Sequence, residues 1–206
     1  MATRHLTKIL TRTTAVLAGL ALAVVGTGVA QAAPVTKTLN YTCEFPLIGP
    51  DQLKVTISVN LPDSAVVGQP AQATDFKVSV LVPERIVEAF DLFEAKTLDG
   101  SAVAHFDVKD AAGVRKTVDI NGMTVPSTPI PDTGDLTVPA SGDVPPTTVD
   151  NPGQAEAIVS NGFDAKLTPR KADGSPTELG TFDLPCKEDP GQDQKLGEIP
   201  VAAARK

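Results

Sequence analysis

Two cysteines, Cys43 and Cys186, carry the most specific chemistry in the sequence. In an exported protein an isolated pair of this kind reads as one disulfide. A thiol nucleophile would need a nearby histidine and a metal site would need further ligands, so both are weaker interpretations. We therefore predict a Cys43–Cys186 disulfide, which would close a loop of about 140 residues.

Histidine and carboxylate side chains give little support for catalysis. His105 is the one histidine after residue 32, so a Ser-His-Asp triad would have to use it. It alternates with apolar residues, which favours the surface of a strand, and no G-x-S-x-G elbow occurs. Glu88, Asp91 and Glu94 share one face of a predicted helix and fit a solvated face better than a glycosidase pair. The sequence thus predicts no catalytic residues and no cofactor.

Acidic loop residues leave one possibility for metal binding. Calcium takes oxygen ligands, and Asp132, Asp135, Asp143 and Asp150 fall in Pro-rich loops. No D-x-D-x-D-G run is present, and roles in turns and solubility account for the same residues. We therefore predict no metal site and leave calcium as an open alternative.

The N-terminus has the layout of a secretory signal peptide. Basic Arg4, Lys8 and Arg12 precede an apolar run over 15–25, and Ala30-Gln31-Ala32 forms an A-x-A cleavage site. We predict cleavage between Ala32 and Ala33.

A retained transmembrane anchor is the alternative to cleavage. The apolar stretch is about 15 residues long, whereas a span needs about 20. No later stretch is apolar enough to span a bilayer. We therefore expect a secreted protein, extracellular or loosely associated with the cell wall, with no membrane span after cleavage.

The charge of the remaining chain excludes some partners. Removing residues 1–32 takes away three of the 18 basic residues and none of the 25 acidic ones, which leaves 174 residues with a net charge of −10. Nucleic acid and anionic membrane surfaces are bound through clustered Lys and Arg, so neither is an expected partner. The expected partner is an unidentified protein or a component of the cell envelope.

The periodicity of apolar residues predicts many short strands and one helix. Alternation over 53–61 and 76–80 is typical of strands with one buried face. Apolar residues at spacings of three and four predict a short helix over 84–93. Strands over 103–108 and 114–120 are joined by a hairpin loop.

Turn signals extend the pattern of short strands. The dipeptides Asn121-Gly122 and Asn161-Gly162 predict turns, the second one between strands over 155–159 and 163–167. The stretch 126–152 contains candidate strands over 135–138 and 147–149, or else is an irregular linker. The tail over 187–206 could add one strand through Leu196, Ile199 and Val201 or remain loose.

Eight or nine short strands with frequent turns predict an all-β immunoglobulin-like sandwich with one short helix and one disulfide. The expected organisation is a signal peptide over 1–32, a flexible N-terminus over 33–38, the sandwich over 39–201 and a flexible C-terminus over 202–206.

The surroundings of the two cysteines resemble a known family. The run Tyr41-Thr42-Cys43-Glu44-Phe45-Pro46 reads Y-T-C-x-F-P, and the run from Pro185 to Gln192 reads P-C-x-x-D-P-G-Q. Together they resemble the actinobacterial secreted family known as domain of unknown function 6801, over about residues 39–201. The resemblance implies an exported β-rich domain with the two cysteines bonded and with 189–201 inside the domain. It carries no reaction, so it assigns no catalytic residue.

These features lead to the expectation of a non-catalytic module for interaction or structure at the cell surface. The alternatives are a carboxylate-based hydrolase, an enzyme inhibitor that presents a rigid loop over Pro126–Pro131, and a binder of a small ligand between the sheets. A large apolar pocket would favour the last of these.

Overall fold

The structure is a computed structural model that describes residues 34–205. The predicted signal peptide and its cleavage site at Ala32 and Ala33 lie outside the described residues. The elements, in chain order, are β1 Val35–Phe45, β2 Gly49–Asn60, β3 Ala65–Val66, β4 Pro70–Ala71, β5 Thr74–Val82, α1 Glu84–Asp91, β6 Thr97–Lys109, β7 Arg115–Pro129, β8 Leu136–Ser141, β9 Thr147–Thr148, β10 Gly153–Arg170, β11 Phe182–Glu188 and β12 Lys195–Ala202.

Eight of the strands form a closed barrel. The order around it is β11-β1-β2-β5-β8-β7-β6-β10, and β10 pairs with β11 to complete the ring. Every strand pair in the ring is antiparallel, and apolar side chains alternate into the interior. The prediction of an immunoglobulin-like sandwich is therefore wrong, although the all-β class, the short helix and the disulfide are confirmed.

The two Asn-Gly dipeptides explain why the barrel differs from the predicted sandwich. Asn121-Gly122 lies inside β7, where β7 uses one more residue than β6 between two paired positions and Gly122 has a φ of 66°. Asn161-Gly162 lies inside β10, where β10 uses two extra residues against the same part of β6. Both dipeptides are bulges, not hairpin turns. Bulges bend and twist a strand, which lets long strands curl into a closed barrel.

The bulge in β10 also marks a change of partner. The first half of β10 pairs with β12, and the second half pairs with β11. Gly162 is required at the change because a Cβ there would lie 2.5 Å from the carbonyl oxygen of Cys186. The tail strand β12 confirms the prediction of a strand through Leu196, Ile199 and Val201, and it pairs in parallel with β3.

Two parts of the chain differ from their predictions because strand pairing extends further than predicted. β1 begins at Val35 and not at Leu39, because residues 35–38 continue the ladder with β2. The stretch 126–152 contains the end of β7, all of β8 and the short β9, so it is no irregular linker.

Helix α1 covers one end of the barrel, which we call the helix end. It comprises the loops over 46–48, 83–96, 130–135 and 171–181; the opposite end comprises those over 61–73, 110–114 and 142–152. The residues Ile86, Val87 and Phe90 of α1 are buried against the barrel interior. Within residues 34–205, no helix has both the length and the apolar character needed to cross a membrane.

Polar contacts fix α1 on the barrel. Pro83 precedes the helix and has no side-chain cap, so the Asp135 carboxylate accepts the hydrogen bond from the Glu84 backbone N–H at 2.9 Å. The Glu84 carboxylate accepts one from Gly134 N–H at 2.7 Å. Arg85 donates from Nε to Asp51 at 2.8 Å, and this hydrogen bond lowers the pKa of the Asp51 carboxyl. The helix end is therefore a tied assembly of loops and helix.

Candidate functional site

Cys43 and Cys186 form the disulfide that the sequence predicts. They are a directly paired position of β1 and β11, with Cα atoms 4.0 Å apart, and both side chains are buried. The bond joins positions separated by 143 residues in the sequence. It therefore locks the place where the first strand of the barrel meets one of the last.

The turn after β11 holds the same place with hydrogen bonds. The side-chain amide of Gln192 accepts from the Asn40 N–H at 2.8 Å and donates to the Asn40 carbonyl at 2.8 Å, so it replaces a neighbouring strand. Asp189 accepts from the Thr42 hydroxyl at 2.6 Å and from the Gln52 side-chain amide. We call the disulfide together with these contacts of Asp189 and Gln192 the clasp. The Y-T-C run at Tyr41–Cys43 and the D-P-G-Q run at Asp189–Gln192 thus lie together in the clasp, where they stabilise the fold.

Tyr41 lies beside the clasp and faces the barrel interior. It is 2 % exposed, its ring packs edge-to-face on Phe163 with centroids 5.2 Å apart, and no hydrogen bond to its hydroxyl is present among residues 34–205. Burial raises the pKa of Tyr41, and the nearby charge of Glu188 raises it further. Burial also raises the pKa of Glu188. These shifts come from desolvation in a packed wall, and the space that Tyr41 lines is a small interior cavity of about 80 Å³.

The barrel interior is nearly filled. A cavity of about 80 Å³ remains, lined by apolar side chains of most barrel strands. Pockets for drug-sized ligands measure about 300–1,000 Å³. An eight-stranded barrel is just wide enough for side chains to fill it. A large pocket for a whole ligand, which the hypothesis of a ligand between two sheets requires, is not found within residues 34–205.

The candidate catalytic side chains lie on the surface and apart from one another. His105 Nδ1 is 2.7 Å from Asp119 Oδ1 on the outer face of β6 and β7, across a directly paired position. Asp91 forms an ion pair with Lys96, and Glu94 forms one with Lys171. Glu88 is exposed.

The inhibitor loop has a different structure from the one expected. Pro126–Pro129 is the end of β7 and does not protrude as a loop. The prediction of a rigid presented loop over Pro126–Pro131 is therefore wrong for most of its length, because barrel pairing with β6 continues through it.

The four loop aspartates do not come together. Asp135 accepts from the first residue of α1, Asp132 contacts Lys96 at 3.2 Å, and Asp150 contacts Lys116 at 3.4 Å. Asp143 is exposed elsewhere in its loop. Among residues 34–205, no group of three or more His, Cys, Asp or Glu side chains could hold a metal ion.

An exposed apolar surface at the helix end is the most unusual feature of the molecule. Leu47 and Leu92 are each 83 % exposed, and Ile48 is 47 % exposed. Ile48 lines a shallow apolar groove between the β1–β2 turn, α1 and the start of β11, together with Phe93, Leu179 and Phe182. We call the three exposed side chains and these lining side chains the helix-end surface: Leu47, Ile48, Leu92, Phe93, Leu179 and Phe182.

Leu47 combines exposure with backbone strain. Its φ of 69° lies in the left-handed region, which favours Gly or Asn and is costly for a bulky residue. Asn at position 47 would remove both the exposed apolar surface and the backbone strain, so folding requires neither of them. Strain of this kind at an exposed apolar residue points to function. Sequence reasoning missed this site, although two consecutive apolar residues between Pro46 and Gly49 are an unusual turn sequence.

Acidic residues surround the helix-end surface. Glu44, Glu88 and Glu178 are exposed, and none of them has an ion pair within residues 34–205. Glu94 is paired with Lys171 at 3.0 Å and Asp183 with Lys166 at 2.8 Å. The surface thus has an apolar centre and exposed acidic residues in the elements around it, of which Glu178 acts electrostatically on Lys171, an arrangement suited to binding.

Comparisons with known proteins concern the fold and the family of the chain. The barrel is similar to part of the crystal structure of a "putative membrane anchored protein" from Corynebacterium diphtheriae, with a TM-score of 0.52 and 12 % identity. The match covers 84 % of this chain and 38 % of that one, so the chain spans well under half of that protein, and the likeness concerns the fold alone. Among curated proteins no relative matches. The model of a family of unknown function, DUF6801, matches residues 40–197, and the chain therefore belongs to that family.

Proposed function

We propose that this protein is a non-catalytic binding module that works outside the cytoplasm and holds a protein partner at its helix-end surface. The observation that carries the proposal is the exposure of Leu47, Ile48 and Leu92 at the helix end, where Ile48 and Phe93 line one apolar groove. Exposed apolar patches rimmed by polar residues are typical of interaction sites. The strained backbone of Leu47 supports the same proposal.

The charge of the rim favours a partner with basic residues. Glu44, Glu88 and Glu178 would attract Lys and Arg on a partner and would repel an anionic bilayer. Two copies of this chain would bring two acidic rims together, which disfavours self-association through this surface. The fitting occupant is a protein surface or segment with an apolar tip flanked by basic residues.

Covalent chemistry supports a compartment outside the cytoplasm. Disulfides persist in oxidising environments and are rare in the cytosol, so the Cys43–Cys186 bond supports a location outside the cytoplasm. The signal-peptide pattern of residues 1–32 supports secretion. The structural neighbour described as membrane anchored is compatible with a role at the cell envelope.

Capture of partners by matched variants tests the proposal. The purified protein, a Leu47→Asp/Leu92→Asp variant and a Val114→Asp variant are used as baits in cell-wall and culture-supernatant fractions. Val114 is 53 % exposed at the opposite end, so its variant adds the same kind of charge to a surface with no proposed role. We expect the wild type and the Val114 variant to capture the same partner protein. When that partner is purified and titrated by calorimetry, its affinity for the double variant should be at least tenfold lower than for the wild type.

The charge component has its own test. Affinity for the purified partner should fall as salt rises, and Glu88→Gln/Glu178→Gln should weaken both the affinity and its dependence on salt. Equal binding by the Leu47→Asp/Leu92→Asp variant would overturn the assignment of the surface. Recovery of the protein as a freely diffusing species with no partner in either fraction would count against a surface role altogether.

A further inference from the structure

The contact between β7 and β8 is the weakest seam of the barrel. Thr124 and Ser141 form the one paired position recorded across it among residues 34–205, although both strands continue beyond that pair towards the helix end. Counting two residues along each strand from that pair places Pro126 opposite Pro139. Proline has no N–H to donate, and within sheets it is characteristic of edges. The seam therefore lacks the hydrogen-bond ladder that holds the other neighbouring strands.

The seam borders the residual cavity. Met123 and Val125 of β7 and Val138 and Ala140 of β8 all line the space of about 80 Å³ in the barrel interior. Pro126 and Pro139 alternate with these inward side chains and are exposed on the outer face. Parting the two strands by a small distance would thus join the apolar interior to solvent without breaking a continuous ladder.

The chemistry of the cavity selects its guest. Apolar cavities of this kind stay dry, and an engineered one of 150 Å³ takes up benzene or xenon. At about 80 Å³ the space here is smaller, about the liquid volume of two to three water molecules. It cannot enclose a whole ligand, but it can take one end of an alkyl chain that reaches it through the wall.

We propose that the barrel binds the apolar end of an unbranched amphiphile, which enters between β7 and β8 and leaves its polar group outside at the seam. The outer side of the seam offers exposed hydroxyl side chains for that polar group, those of Thr124, Ser127, Thr137 and Ser141. Burial of the alkyl end supplies the affinity, and the proline-interrupted ladder supplies access.

The methyl group of Met123 gives a direct readout. The sequence has two methionines, Met1 and Met123, and Met123 lines the cavity. In protein labelled with ¹³C at the methionine methyl groups, addition of straight-chain alcohols from 1-propanol to 1-octanol should shift the Met123 signal saturably. Affinity should rise about fourfold per methylene, as burial of apolar groups requires, and level off once the chain outgrows the cavity.

Two further measurements separate site and route. Ala140→Leu, or Ala140→Val if the larger residue impairs folding, should abolish the saturable shift. Pro126→Thr/Pro139→Thr, which restores two N–H donors, should leave the affinity for 1-octanol unchanged and slow its uptake at least tenfold, as measured by exchange broadening of the Met123 signal.

The source of the guest is distinguished by using 1-octanol and phosphatidylcholine vesicles as separate probes. A shift with vesicles identifies a membrane lipid, and a shift with the alcohol alone identifies a dissolved amphiphile; either supports the proposal. An unshifted Met123 signal with every alcohol, or a shift that Ala140→Leu and Ala140→Val both leave intact, would overturn it. Uptake at an unchanged rate in the proline variant would overturn the route through the seam.

Discussion

The barrel has two sparse seams, and they are held in opposite ways. At β1–β11 three positions are paired, and the clasp adds a disulfide and the side-chain bonds of Asp189 and Gln192. At β7–β8 one position is paired, no covalent bond crosses, and two prolines face each other in the continued register. One seam is locked and the other can part.

The contrast follows from where each seam lies in the chain. β1 and β11 are far apart in sequence, so their pairing costs a large loop-closure entropy, which a covalent bond removes from the unfolded chain. β7 and β8 are joined by a short loop over 130–135, so they stay close with few hydrogen bonds. The strongly held seam, β1–β11, joins strands that are far apart in sequence. The weakly held seam, β7–β8, joins strands with a short connection, and it is the proposed route for the amphiphile.

Removal of the disulfide should have the largest effect. For Cys43→Ala/Cys186→Ala, the chain-entropy model predicts a loss of about 5 kcal/mol in the free energy of unfolding, as an upper figure. That is comparable with the whole stability of many domains. Urea denaturation measures the loss, and wild-type protein that is fully reduced serves as the matched control. A loss below about 1 kcal/mol would mean that the hydrogen bonds of the clasp close the barrel without the covalent bond.

Gln192→Ala should have the next largest effect at the same seam. It removes two hydrogen bonds to the backbone of Asn40 and a third to the Asp189 carbonyl, each of which contributes about 1 kcal/mol, so we expect a loss of about 3 kcal/mol. Gln72→Ala is the matched control, because Gln72 donates one hydrogen bond to a backbone carbonyl elsewhere, and it should cost about a third as much.

Exchange of the Asn40 amide hydrogen separates the two Gln variants. It should become faster in Gln192→Ala and stay slow in Gln72→Ala. An Asn40 amide that remains protected without Gln192 would show that another group holds this part of β1, and the clasp would then be reduced to its disulfide and Asp189.

Alkaline pH should loosen the locked seam through Tyr41. Its pKa is raised in the folded protein, so the unfolded chain loses the phenolic proton first. Stability is therefore fully present below the ordinary pKa of about 10, and it falls by about 1.4 kcal/mol per pH unit above it until the folded pKa is reached. Because the sequence contains one tyrosine, absorbance at 295 nm follows this ionisation alone.

Two observations check the role of Tyr41. In the wild type, tyrosinate absorbance should appear together with unfolding and not before it. Tyr41→Phe should keep the fold and lose the tyrosine-linked part of the alkaline dependence. Ionisation near pH 10 in a protein that stays folded would contradict burial of the hydroxyl at this seam.

The sequence predicts local elements of this molecule better than its closure. Helix α1 and strand β12 follow from apolar spacing, and the disulfide follows from the number of cysteines and the export signal. The Asn-Gly dipeptides were misinterpreted because the same residues serve a hairpin turn and a bulge, and only long-range pairing with β6 decides between them. With the bulges interpreted as turns, the predicted strand in β7 ends at residue 120 and β10 divides into two short strands, and short strands of this kind favour a sandwich over a barrel.

The helix-end surface shows a different limit of sequence reasoning. Leu47 and Leu92 look like core residues by type, and nothing local states that they are exposed. Their exposure depends on how α1 and the β1–β2 turn meet at the end of the barrel. Likewise, Pro126 and Pro139 give no signal as single residues. Only the register of β7 and β8 places them opposite each other and identifies a weakly paired seam.

Restoring hydrogen-bond donors at the seam between β7 and β8 should change the free energy of unfolding least of all, and should change local amide exchange most. In Pro126→Thr/Pro139→Thr, two restored donors add about 0.5–1.5 kcal/mol each, while loss of proline rigidity costs about 0.4–1 kcal/mol each. The free energy of unfolding should therefore stay within about 1 kcal/mol of the wild type. Amide exchange at Thr124 and Ser141, the pair that bridges the seam, should nevertheless slow by about tenfold, since each restored bond opposes local opening beside that pair. Pro145→Thr, in an exposed loop, controls for proline loss alone and should leave both amides unchanged. Wild-type amides at Thr124 and Ser141 that exchange as slowly as those between β6 and β10 would remove the contrast, because the seam would then be closed despite its prolines.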